Sequence, residues 1–117
     1  MWKKTILITC MMILATFTAV LPIQTTLAEP PVLSNPYPTG GKNATYNPRM
    51  TISVNDPEGD HLTVHFRTNA TGSWETLGTY TGRNKKYAQN TSNLDVKGTK
   101  YFWNVNATDG AAWTNGT

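Results

Sequence analysis

Three groups of residues have types and spacing that bear on chemistry. Asp56, Glu58 and Asp60 place three carboxylates at alternate positions, the kind of oxygen cluster that calcium takes. The spacing lacks the remainder of a twelve-residue calcium loop. Asp56-Pro57-Glu58-Gly59-Asp60 also has the make-up of a plain turn, with Pro57 fixing φ and Gly59 allowing positive φ. A turn is therefore the first expectation and a weak calcium site the second. His61 and His65 would share a metal on a helix, but Leu62, Val64 and Phe66 alternate with Thr63, His65 and Arg67, which is strand periodicity. At ~3.3 Å per residue the two histidines stand about 13 Å apart, too far for one zinc with bonds near ~2.1 Å. They read as solvent-facing side chains. Trp74, Trp103 and Trp113 are the third group. Trp103 alternates with core positions and is expected to pack. Trp74 and Trp113 stay open between packing and a sugar-stacking platform. No serine sits in a nucleophile-elbow context and no glycine-rich phosphate loop follows a strand. Paired acids for glycoside hydrolysis are not identifiable from the spacing. The chain is not expected to be an enzyme, and no cofactor is expected beyond the weak calcium possibility.

A different chemistry is written in Asn-X-Ser/Thr triplets beginning at Asn43, Asn69, Asn90, Asn106 and Asn115, none with proline at X. These are acceptors for N-glycan transfer outside the cytoplasm. They stand behind an export signal: Lys3 and Lys4 are basic, Ile6 to Leu21 is an uncharged and mostly apolar run, and Thr26-Leu27-Ala28 is a small-X-small cleavage site before Glu29. That predicts a helical signal peptide over 1–28. The alternative is a retained anchor, although about sixteen apolar residues ended by Pro22 fall short of the ~20 a spanning helix needs. The lone cysteine, Cys10, lies inside the apolar run rather than at the cleavage point, which argues against lipidation. Removal of the signal leaves no cysteine for a disulfide. The expected localisation is secreted or extracellular cell surface, with membrane contact only through an uncleaved N-terminal segment.

The chain of 117 residues carries ten Lys and Arg against seven Asp and Glu. Loss of Lys3 and Lys4 with the signal brings these near balance. No basic stripe remains to attract nucleic acid. A single small domain is expected, burying roughly 60–65% of its unfolded surface. With no disulfide, it must rely on a packed core of aromatic and β-branched residues.

No helical periodicity appears after the signal. Gly, Pro, Asn and Thr punctuate the chain at short intervals, which predicts an all-β fold. Residues 29–41 read as an extended Pro-rich lead-in with a short edge strand around Val32 and Leu33, ahead of a domain over 42–117. Arg49 to Asn55 and His61 to Arg67 are two half-buried strands. Trp74 to Thr81 is a third and Lys86 to Thr91 a short fourth. Tyr101 to Thr108 follows, with Tyr101, Trp103, Val105 and Ala107 on one face. Asp109-Gly110 turns the chain into Trp113. None of the five sequon asparagines falls on an expected core face.

The order of these pieces resembles the fibronectin type III-like or immunoglobulin-like sandwich domains of archaeal and bacterial secreted surface proteins. The matching residues are Asn35-Pro36-Tyr37-Pro38, Val54-Asn55-Asp56-Pro57-Glu58-Gly59-Asp60, Gly72-Ser73-Trp74 with Leu77-Gly78-Thr79, Gly98-Thr99-Lys100-Tyr101-Phe102-Trp103 and Val105-Asn106-Ala107-Thr108-Asp109-Gly110. The resemblance spans roughly 31–117. It implies a two-sheet β-sandwich in which Tyr101 forms a tyrosine corner, hydrogen-bonding back to the chain upstream. It also implies a last strand longer than Trp113-Thr114. That strand is expected to be incomplete because the chain is a piece of a longer protein or, alternatively, because a partner donates it. The function implied is a non-catalytic spacer, adhesion or interaction module. Its expected partners are other domains of the same surface protein, and glycans or another protein. The alternative is an accessory carbohydrate-binding module of a secreted enzyme, in which Trp74 and Trp113 contact the ligand.

Overall fold

The computed structural model describes residues 22, 27–40 and 45–116. Apart from Pro22, Leu27 and Ala28, the segment read as a signal peptide lies outside the described residues, as do Cys10 and Asn43. The described chain is all β. Seven strands form two antiparallel sheets: β1 (Val32–Tyr37), β2 (Met50–Asn55), β3 (Leu62–Thr68), β4 (Glu75–Gly82), β5 (Lys85–Gln89), β6 (Trp103–Thr108) and β7 (Trp113–Asn115). One sheet has the order β1-β2-β5 and the other β4-β3-β6-β7.

Alternation in β2 and β3 sets the inner faces. Met50, Ile52 and Val54 face Leu62, Val64 and Phe66 across the sandwich, and all six are buried. β6 adds Val105 and Ala107, β5 adds Tyr87, and Leu94 plugs one end. Phe66 lies at the centre. Its ring stacks on Trp103 (6.4 Å, 11°) and meets Tyr80 edge-on (5.8 Å, 88°). Trp103 therefore packs on the core as expected, and its indole N–H donates to the Pro38 carbonyl at 3.1 Å.

β1 occupies the segment read as a lead-in and is a full six-residue edge strand, paired with β2 from Val32–Asn55 to Tyr37–Thr51. Its register shifts between Ser34 and Tyr37, where Asn35 takes a positive φ of 51°. That bulge interrupts the period-2 pattern by which a strand is recognised. A second irregularity makes Leu77 the extra residue opposite Phe66 and Arg67, and its side chain packs against the core.

The two long sides of the sandwich differ. On one side the chain passes from β4 directly to β5 through Arg83 and Asn84, so covalent continuity joins the sheets. On the other side β1 faces β6 and β7, with no connecting chain between them. The Tyr101 hydroxyl accepts from the Val96 amide, five residues upstream, at 3.2 Å.

Candidate interaction surface

The outward face of the four-stranded sheet carries two exposed tryptophans, Trp74 and Trp113. Because neighbours in register share a face, Thr63, His65 and Arg67 of β3 stand beside Thr81, Thr79 and Thr76 of β4 and beside Thr108, Asn106 and Asn104 of β6. β7 adds Asn115 next to Asn106 and Trp113 next to Thr108.

The Trp113 ring reaches diagonally over β6 and stacks on His65 (5.7 Å, 17°), and His65 Nδ1 is hydrogen-bonded to Thr79 Oγ1 at 2.8 Å. Two residues along β3, the Arg67 guanidinium lies 5.9 Å from the centre of the Trp74 ring. Same-face neighbours on one strand are about 7 Å apart. Trp113 with His65 and Arg67 with Trp74 thus form a ribbon of two contacting pairs along one face of the sheet. Trp113 keeps 57% of its surface exposed and Trp74 46%. Beside the ribbon, the side-chain oxygens of Asn104 and Asn106 are buried without a hydrogen-bond partner. The face offers π surfaces, one fixed cation, hydroxyls and amides, which suits recognition of a polar ligand. Sequence reasoning singled out both tryptophans. It missed Arg67 and gave His65 no role, because the diagonal that joins them depends on register across three strands.

The three carboxylates behave as turn residues. Asp56 is buried, and its Oδ2 accepts the Asp60 amide at 2.7 Å. Its carbonyl receives the Gly59 amide and Asn84 Nδ2, while its own amide donates to Asn84 Oδ1 at 2.7 Å. Gly59 takes φ 74°, which glycine adopts without a side-chain penalty. Glu58 points elsewhere and accepts the Glu29 amide at 2.8 Å. Among the described residues, no three acidic, histidine or cysteine side chains converge on a point that could hold a metal. His61 is exposed ahead of β3, and His65 belongs to the ribbon.

The sequon asparagines differ in setting. Asn90 and Asn115 are exposed, while Asn69 and Asn106 are half-buried. Asn69 Oδ1 accepts the Phe102 amide at 2.9 Å, fixing the turn that carries Trp74. Asn106 and Asn115 are direct cross-strand partners.

Two groups have displaced acidities. Amides of Ala112 and Ala111 both donate to Asp109 Oδ1 at 2.7 Å and hold its carboxyl below the ordinary 3.8. Burial raises the Tyr87 phenol, whose hydroxyl donates to the Arg83 carbonyl at 2.7 Å.

No family model, curated protein or solved structure matches the chain.

Proposed function

We propose that this chain is a non-catalytic, fibronectin type III-like module displayed outside the cell, acting as a spacer and interaction unit of a surface protein. The observation that carries the reading is the exposed Trp113–His65–Arg67–Trp74 ribbon. Trp and Arg are the residue types that dominate binding hot spots, and a flat sheet presents them with little entropy left to lose. Strand orders β1-β2-β5 and β4-β3-β6-β7, together with the Tyr101–Val96 contact, support the type of sandwich. The export signal and the sequons support the extracellular placement. Partners on this reading are neighbouring domains of the same protein, and a protein or glycan met at the surface.

The test is retention of the labelled chain on the surface of its source cells, compared with Trp74→Ala and Trp113→Ala. The expected result is retention by the native chain and loss in both variants, with the fold unchanged by circular dichroism. Equal retention of all three would remove the ribbon from the function.

A second reading, an accessory carbohydrate-binding module, draws on the two indoles exposed beside threonine and asparagine side chains. Pull-down on insoluble cellulose and chitin separates it from the first. Capture there, lost in the same two variants, would favour the sugar reading.

A further inference from the structure

Arg67 has no carboxylate beside it in the sheet. The four strands β4, β3, β6 and β7 hold a single acidic residue, Glu75. Glu75 pairs with Thr68, whose side chain is buried, so it belongs to the inner face. On the outer face, every partner that register gives to Thr63, His65 and Arg67 is a threonine or an asparagine. The Arg67 guanidinium lies against the Trp74 ring instead of an acid. Its planar fork of N–H donors suits a ligand with paired anionic oxygens.

The surroundings favour the same kind of ligand. Oδ1 of Asn104 and of Asn106 is buried while both residues stay half-exposed, which turns their N–H2 ends outward. A cation and amide donors with no carboxylate between them make the face attractive to an anion. Register puts no leucine, isoleucine or valine on it among the described residues, and Leu77 packs against the core. A protein interface is built around an apolar centre, whereas here hydroxyls and amides lie between the two indoles. An indole face is negative at its centre and suits the C–H side of a pyranose ring. A neutral sugar would desolvate Arg67 without supplying a countercharge, and an acidic one supplies it.

Taking the ribbon as the interaction surface, we propose that it binds an acidic polysaccharide. Arg67 pairs with a carboxylate or sulfate group of the ligand. The Trp74 ring carries the sugar that bears this group. The Trp113 ring, held flat by His65, carries a sugar further along the chain.

The test is affinity electrophoresis of the full chain at about 0.15 M ionic strength, which screens diffuse attraction to scattered lysines. The gels hold polygalacturonate, dextran sulfate or uncharged dextran. The expected result is saturable retardation by an acidic polymer, about tenfold tighter than by dextran. Polygalacturonate as the stronger ligand assigns a carboxylate to the site, and dextran sulfate assigns a sulfate ester. Arg67→Gln should reduce the preference for acid to within about twofold, whereas Arg67→Lys, which keeps the charge without the fork, should retain about half of it on a logarithmic scale. Trp74→Ala should weaken binding while circular dichroism stays unchanged. The proposal is overturned by equal retardation in all three polymers. It is also overturned by acidic binding that Arg67→Gln leaves intact, the mark of ion exchange only. Loss of cell retention in the Trp74 and Trp113 variants without any acidic preference would overturn this proposal and leave the interaction reading standing. An Arg67-dependent acidic preference with unchanged cell retention would support the sugar site and remove the ribbon from cell-surface attachment.

Discussion

The Trp113 indole covers the His65 imidazole at 5.7 Å with the two planes 17° from parallel, although the residues belong to strands separated by β6. β7 has only three residues, so this stack is a main anchor of its outward side. Trp113→Ala should lower stability by about 0.5–1.5 kcal/mol, the worth of an aromatic pair beyond its area. His65→Ala should cost a similar amount, and the double variant less than the sum of the two. Chemical denaturation of the four proteins checks this.

Asp56 organises its turn from a buried position, so its removal should be felt more than that of its neighbours. Asp56→Ala leaves the Asp60 amide without its acceptor, a loss of about 1–3 kcal/mol, whereas Glu58→Ala should stay within about 0.5 kcal/mol. Millimolar calcium should leave the melting temperature of the native chain unchanged. A rise with calcium, abolished in Asp56→Ala, would support the calcium reading.

Much of this was legible from residue patterns. Met50-Ile52-Val54 and Leu62-Val64-Phe66 alternate without interruption, so both strands and their buried faces could be read directly. Tyr101 lay at the spot where a backward hydrogen bond was expected, and Trp103 packed as its alternation required. β1 was only half visible because Asn35 and Pro36 break its period at a bulge. The ribbon was invisible as a unit: Trp113 and His65 are neighbours only through the register of β3, β6 and β7, which no local pattern encodes.

Asp109 makes the β6–β7 turn sensitive to acid. Its folded-state pKa lies below the ordinary 3.8, so the unfolded state takes up protons first as pH falls. The stability it contributes is fully present above the ordinary value and is lost as pH drops through the lower folded-state value. Asp109→Asn keeps an acceptor for the Ala111 and Ala112 amides but cannot titrate. Below about pH 4 the difference in melting temperature between native chain and variant should therefore shrink. Thermal unfolding from neutral pH into this range checks it.

Asn106 and Asn115 sit opposite each other, with Cβ atoms about 4.5–5.5 Å apart in such a pair. Two glycans rooted that close would collide. In a host that glycosylates these sequons, a single molecule should carry a glycan at one of the two and not both, with exposed Asn115 favoured. Asn115→Gln should raise occupancy at Asn106. Intact-glycopeptide mass spectrometry spanning both sites gives the answer.

The unequal long sides of the sandwich also give it a mechanical character. A hinge of two residues, Arg83 and Asn84, holds one side by covalent bonds, whereas the Thr114–Pro31 and Trp103–Pro38 clasps hold the other. Pro31 lies beside Thr114 and Leu33 beside Gly116, so β1 and β7 run in the same direction. Tension between Glu29 and Gly116 would slide the two strands past each other, loading the Thr114 clasp and the β1–β2 bonds together rather than one after another. The expected response is little extension until those bonds give way as a group. A chain built this way would hold its length under load until it failed.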